Sequence, residues 1–290
     1  MPVVSGQLAM NPPNGSPPLW TGERLITDVH NETKVEHLHR YAIALSFARD
    51  QSVLDIASGE GYGANLLAGV AKNVMGVDID GPAIAHASKK YARANLTYLQ
   101  GSAIQIPCES HSFDLVVSFE TIEHIEEHDA MMRELKRVLK PGGLLLISSP
   151  EKQTYSDTTR FENEFHKKEL YLAEFEELIG AHFLNRRMVF QRMMYCSIMT
   201  AGGDPGEAHP LTAYSGGFEK VEAGPLAGFS YNLALCSDSE IRHPGISVFN
   251  ADEVLKGIRK ERYKVLESKT YRVGDTILSP FRKVMSLLGK

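Results

Sequence analysis

Apolar positions along this chain fall into two rhythms. Between Glu32 and Ala48, the residues Val35, Leu38, Tyr41, Ala42, Leu45 and Phe47 mostly keep helical spacing, which predicts a helix ahead of the core. From Ser52 onward, short β-branched or apolar runs alternate with helical stretches. The predicted strands are Ser52–Ala57, Val74–Asp78, Leu96–Gln100, Asp114–Phe119 and Gly143–Ser148. The predicted helices are Gly63–Gly69, Pro82–Ala92, Met131–Leu139 and Leu170–Ile179. Such alternation means βαβ units and a parallel sheet covered on both faces. Arg187–Gln191 and Tyr231–Cys236 are two further predicted strands. They flank Met199–Gly228, a Gly/Pro-rich stretch with no period and long enough for a cap or substrate loop. Prolines 2, 12, 13, 17 and 18 make residues 1–19 an arm. The expected layout is an arm or lid over 1–31, a core domain over 32–250 with an acceptor-side cap loop near 193–228, and a tail over 251–290.

Composition narrows the class. Of 290 residues, 43% are apolar and 23% charged, ordinary globular values that exclude wholesale disorder. The run Leu144–Ile147 is far too short to span a bilayer. Met1–Gly15 lacks a basic cluster followed by an apolar stretch, so no secretory signal is expected. Cys108, Cys196 and Cys236 form neither a disulfide framework nor a zinc spacing, and a reducing cytoplasm is the expected location. The net charge of −5 is uneven: residues 254–290 hold ten Lys or Arg against three acids, leaving −12 on the rest. An acidic body argues against nucleic acid as partner. The basic tail suits an anionic surface. Ser279 as N-cap, Pro280 at the first helical position and the stripe Ile277, Leu278, Phe281, Val284, Met285, Leu288 predict an amphipathic helix there. Its expected partners are the domain itself, the inner face of a membrane, or a glycosyltransferase.

The first strand-to-helix turn carries chemistry. It reads Val53-Leu54-Asp55-Ile56-Ala57-Ser58-Gly59-Glu60-Gly61-Tyr62-Gly63-Ala64. Glycines 59, 61 and 63 let the backbone turn tightly and bring a ligand against N–H groups at a helix start. Asp78, nineteen residues after Gly59, closes the next strand, where a carboxylate can accept both ribose hydroxyls. Gly59, Gly61 and Ala64 also meet a loose dinucleotide fingerprint. Two observations weigh against NAD. Asp55 would repel a pyrophosphate, yet suits an amino group. No Tyr is followed four residues later by Lys, as short-chain dehydrogenases require.

These segments, with Gly76–Asp80, Leu99–Pro107, Ser112–His124 and Leu139–Pro150, resemble class I S-adenosylmethionine-dependent methyltransferases over about residues 35–240. The resemblance implies a Rossmann-like, doubly wound seven-stranded α/β sheet with its last strand antiparallel and helices on both faces. It also implies S-adenosylmethionine as cofactor. Carried over by position, Asp55, Ala57, Gly59 and Gly61 border the methionine portion, Asp78 holds the ribose, and Ile79 and Ala103 flank the adenine. Ser102 stands where many relatives place an aspartate toward the adenine amino group, and Phe119 borders the cofactor after the fourth strand. Arg40 is a candidate for the cofactor carboxylate, with an exposed surface arginine as the alternative.

At the other side of the cleft, Phe119-Glu120-Thr121-Ile122-Glu123-His124 follows the fourth strand and Asn163-Glu164-Phe165-His166 follows the fifth. Both segments are expected to converge where the methyl group points. Glu123 and His124 would either cap and orient the loop, or join Glu120 and His166 in holding Mg²⁺ or Mn²⁺. Similar Glu-x-x-Glu-His spacing with a later His occurs in magnesium-using ubiquinone-pathway and small-RNA 2′-O-methyltransferases. Without a metal, His124 or His166 is the candidate general base. The stretches Trp20–Arg24, Phe119–His124, Ser148–Pro150 and Asn163–Tyr171 resemble methyltransferases of bacterial polysaccharide biosynthesis. The expected function is therefore O-methylation of a sugar hydroxyl on a surface glycan or its precursor. The alternatives are methylation of a small phenolic or quinone-precursor metabolite, and a non-catalytic cofactor-binding module of a glycan-assembly complex.

Overall fold

The computed structural model describes residues 24–27, 31–194, 196, 212–224, 226, 228–274 and 276–278. Most of the predicted arm, positions 197–211 of the cap loop and the helix predicted from Ser279 lie outside the described residues.

Helix α1 (Glu32–Ala48) starts at Asn31, whose side chain accepts from the Lys34 amide and satisfies one unpaired donor of the first turn. Then come β1 (Ser52–Ile56), α2 (Tyr62–Leu67), β2 (Asn73–Asp78), α3 (Gly81–Lys90), β3 (Leu96–Gln100), β4 (Phe113–Ser118), α4 (His128–Val138), β5 (Leu139–Pro150), α5 (Leu172–His182) and β6 (Asn185–Gln191). The chain closes with β7 (Tyr214–Gly217), β8 (Lys220–Ala223), β9 (Tyr231–Ser237) and α6 (Asp252–Glu267). Seven strands form one sheet in the order β3-β2-β1-β4-β5-β9-β6. Strands β1–β5 pair parallel, and β9 runs antiparallel between β5 and β6.

Both faces are covered, which explains the nearly unbroken apolar strands. On one face Met131, Met132, Leu135 and Val138 of α4 and Phe175 and Ile179 of α5 pack on Leu54, Ile56, Val116 and Leu145. On the other, Tyr41, Ala44 and Ala48 of α1, Ala64 and Leu67 of α2 and Ala87 of α3 pack on Val53, Leu115, Val117 and Leu146. The strand order reverses direction between β1 and β4. Ligands of such sheets bind at the carboxyl ends of the strands beside that reversal.

Several boundaries differ from the sequence pattern. Helix α4 begins at His128, three residues before its first predicted residue, and β5 begins at Leu139 rather than Gly143. Leu139 pairs with Phe113 ahead of a register shift, so tertiary pairing carries Lys140-Pro141-Gly142-Gly143, a turn by composition, into the strand. The aperiodic stretch before β9 contains an exposed hairpin, β7 with β8, which its glycines concealed from pattern reading. The tail helix α6 lies against α1, with Val254 buried and a 2.8 Å hydrogen bond between His39 and Ser247 just ahead of it. No helix among the described residues is long and apolar enough to cross a membrane.

Candidate active site at the strand carboxyl ends

At the β1 exit the chain turns through Ala57 and Gly59, with φ of 59° and 55°, into Gly61, with φ of 89°. Gly61 has no room for a side chain: a Cβ there would stand 2.7 Å from both the Ala87 Cβ and the Tyr98 hydroxyl. Gly63 is equally constrained, because Tyr41 fills the space beside it. The Tyr41 hydroxyl donates to both oxygens of Asp55, at 3.0 and 3.2 Å. Burial pushes Asp55 up to about 7, even though the Tyr41 hydrogen bond pulls the other way. Asp78 at the end of β2 is held rigidly, with Gly59 N donating to Oδ2 at 2.8 Å and Asp80 N to Oδ1 at 2.9 Å. A carboxylate offers about four acceptor positions, so two remain for a vicinal diol. Ile79, beside it, is 71% exposed, an apolar surface suited to a planar base. Ala103 is buried, and the Ser102 hydroxyl accepts from the Ile104 amide at 3.3 Å. Phe119 is buried edge-on against Tyr41.

Arg40 is not on the surface. It is buried at the acceptor-side end of the sheet, its Nε donating to Gln191 at 2.7 Å and its guanidinium stacked 4.4 Å over the Tyr231 ring. Nη1 lies 3.3 Å from Glu120, while Nη2 is buried without a hydrogen-bond partner. Glu36, one helical turn earlier on α1, is pushed up to about 7 by burial, with Arg40 opposing the shift.

Glu120 occupies the left-handed region at φ of 50°, which a non-glycine residue adopts at a cost. Ser148 holds it there: the Ser148 hydroxyl donates to Glu120 Oε1 at 2.6 Å and accepts from the Glu120 amide at 3.1 Å. Glu120 is thus tied to Arg40 and Ser148, and the structure does not gather it with the other predicted metal ligands. Glu123, His124 and His166 do converge, their ligand atoms lying within 4.8 Å of one another. His124 Nδ1 bonds the Phe165 carbonyl at 3.0 Å, which turns its Nε2 away from the backbone. His166 Nδ1 bonds Glu169 at 2.5 Å, while Asn163 meets Nε2 at 2.9 Å. The Tyr155 ring stacks on His166 at 5.6 Å, and the two imidazoles meet edge to face at 5.0 Å.

Residues 54–147 match the methyltransferase domain family. A protein of Mycobacterium tuberculosis strain H37Rv, described as a probable S-adenosylmethionine-dependent methyltransferase, is 36% identical over 189 residues, covering 61% of this chain and 68% of that one. The chain belongs to the S-adenosylmethionine-dependent methyltransferases. A protein of Mycolicibacterium smegmatis with the same description is 37% identical over 164 residues, 55% of this chain, and the match spans only 62% of its length. In the fold, a solved candidate methyltransferase of Bacillus halodurans C-125 superposes with a TM-score of 0.51 over 71% of this chain and all of its own, at 17% identity.

For this methyltransferase, pattern reading missed several residues of the cleft. Glu36 and Glu169 left a signal, standing four residues before Arg40 and three after His166, helix-neighbour and turn-neighbour spacings. Tyr155, Gln191 and Tyr231 left none, because only the pairing of β9 with β5 and β6 brings their segments together.

Proposed function

We propose that this methyltransferase transfers the methyl group of S-adenosylmethionine to an oxygen, a sugar hydroxyl of a surface glycan or its precursor. The cofactor supplies a methyl on a sulfonium, already activated for displacement. Its cradle fits the chain: Ser58 Oγ is buried without a partner, and Asp78 keeps two acceptor positions. In this reading Asp55 meets the α-ammonium, Asp78 the ribose, Ile79, Ser102 and Ala103 the adenine. Ala57 and Phe119 line the methionine arm, and Arg40 Nη2 takes the carboxylate.

The observation that carries the acceptor reading is the convergence of Glu123, His124 and His166 in the segments after β4 and β5. A hydroxyl is a weak nucleophile at neutral pH, so the cleft must align it and accept its proton. Glu120, kept in place by Arg40 and Ser148, hydrogen-bonds the reacting hydroxyl. Either His124 or His166 takes its proton; alternatively the two histidines and Glu123 would hold a divalent cation, which would supply a lower hydroxyl pKa. Two imidazoles and one carboxylate suit Mn²⁺ or Zn²⁺ better than Mg²⁺. Glu169 would then act as the outer partner that orients His166. The ring of Tyr155, stacked on His166 and backed by Phe161, also suits a flat phenolic or quinone-precursor acceptor.

An acceptor screen that reads S-adenosylhomocysteine release, run with EDTA and with added Mn²⁺ or Mg²⁺, tests this. Turnover on glycan precursors carries the sugar reading, and turnover on phenols alone replaces it. Loss of turnover in EDTA carries the metal; indifference to EDTA leaves His124 or His166 as the base.

A further inference from the structure

Position 24, at the end of the Thr21-Gly22-Glu23-Arg24 motif, has no role in the reading above, yet its side chain lies across the cofactor cradle. Arg24 Nη1 is 2.7 Å from Asp80 Oδ2 and Nη2 is 3.7 Å from Asp78 Oδ1, with only 19% of the arginine side chain exposed. Its methylenes run over the glycine loop: a Cβ on Gly59 would stand 3.6 Å from Arg24 Cγ and Cδ. The segment is pinned two and three residues later. Ile26 is buried, the Thr27 amide donates to Glu60 at 2.9 Å, and Lys90 donates to both Glu60 and the Thr27 hydroxyl. Lys34 adds a 2.9 Å bond to the Thr27 carbonyl. Glu60 is itself buried, so these donors anchor the strap to the turn that bears Gly59 and Gly61.

We propose that residues 24–27 form a latch over the cofactor site, with Arg24 as a cofactor-site residue that closes the nucleoside pocket from outside and slows release. The latch rests on the reading of Asp78 as the ribose acid. Asp78 already accepts one backbone N–H on each oxygen, and its remaining acceptor positions suffice for a diol without expelling a guanidinium 3.7 Å away. Asp80 is the firmer anchor: the Arg24 hydrogen bond is the largest cause holding its carboxyl below the usual range. Because the anchors lie at Ile26 and Thr27, opening needs only a swing of one side chain rather than loss of the strap. The device gives the neutral product a slow exit.

The test is the dissociation rate of S-adenosylhomocysteine, measured by surface plasmon resonance on the full chain. Arg24→Ala is expected to release it about tenfold faster, as expected for losing one charge-assisted contact, with association unchanged or quicker. Arg24→Lys should fall between the two, because a point charge keeps the attraction but not the fork. In the unmutated chain, raising salt should speed release, and this dependence should flatten in Arg24→Ala. Unchanged or slower release in a folded Arg24→Ala chain overturns the latch, as does tighter binding, which would make Arg24 a competitor of the ribose. Release from the unmutated chain that ignores salt overturns it even if every variant misfolds. Failure of the unmutated chain to bind the product at all instead refutes the cofactor site beneath it.

Discussion

The cofactor end and the acceptor end share one edge of the sheet but are assembled on different length scales. At the proposed cofactor end, the turn over residues 55–63 meets residues 78–80, and its key bonds join the turns after two adjacent strands. Their geometry follows from backbone rules: positive φ at Gly59 and Gly61, a helix start, and a carboxylate pinned by amides. At the acceptor end, side chains from α1, the turns after β4 and β5, the end of β6 and the start of β9 meet. Arg40 bonds Gln191 across 151 positions of chain, and His124 bonds the Phe165 carbonyl across 41. A locally built site is robust to the rest of the molecule. A site built from five segments can be retuned for a new acceptor at positions other than Arg40, the one side chain proposed to reach the cofactor as well.

That contrast is broken or sharpened by substitutions that separate the two ends. The largest effect is expected for Glu120→Ala, which removes the carboxylate held by Arg40 and Ser148. The turnover number should fall roughly 10²–10⁴-fold, while titration calorimetry finds cofactor affinity within about twofold of the parent. A parallel collapse of affinity would mean that the two ends are one network. Next comes Gly61→Ala, which forces a methyl against Ala87 and Tyr98 at positive φ. Strain and overpacking together should cost about 2–4 kcal/mol in urea unfolding. A neutral result would show that the loop yields, and that backbone geometry does not define this end.

Asp78→Ala should weaken S-adenosylmethionine by ~1–3 kcal/mol through lost charge-assisted hydrogen bonds, with the acceptor KM unaffected. An unchanged dissociation constant would place the ribose acid elsewhere. The smallest effect is a pH dependence set by Asp55. Its carboxyl is raised from an ordinary 3.8 to about 7 in the fold, so the folded chain retains a proton that the unfolded chain loses. Its contribution to stability therefore declines as pH rises from 3.8 toward 7 and is flat above that. A bound α-ammonium favours the ionised form, so cofactor affinity should rise up to about tenfold from pH 6 to 8, with proton release detectable in buffers of different ionisation enthalpy. Asp55→Asn should flatten that slope; a slope that survives assigns the titration to Glu36, the other raised carboxyl, at the acceptor end.

Strand and helix alternation, the glycine turn and the acid at the end of β2 were all legible along the chain, because each depends on neighbours a few residues apart. The predicted helix over Glu32–Ala48 agrees with α1 to the residue, since its cap and its apolar spacing are local. The hairpin of β7 and β8 was not legible. Gly216 and Gly217 carry no alternation, and its strands are exposed throughout. The burial of Arg40 was equally hidden: an arginine on an amphipathic helix reads as solvent-facing until β6 and β9 close over it.

The sequence alone thus determined the class of fold, the glycine turn with the acid at the end of β2, and the pool of acids and imidazoles after β4 and β5. Those features rest on periodicity, turn chemistry and short spacings, which act within one or two elements. Only the tertiary structure decided how that pool divides, Glu120 to Arg40 and Ser148 and His166 to Glu169 and Asn163, and, at the other end, that Arg24 reaches Asp78 and Asp80. A charged side chain can satisfy itself with any opposite partner within reach. Which partner is within reach depends on how strands far apart in sequence pair, and no local pattern encodes that.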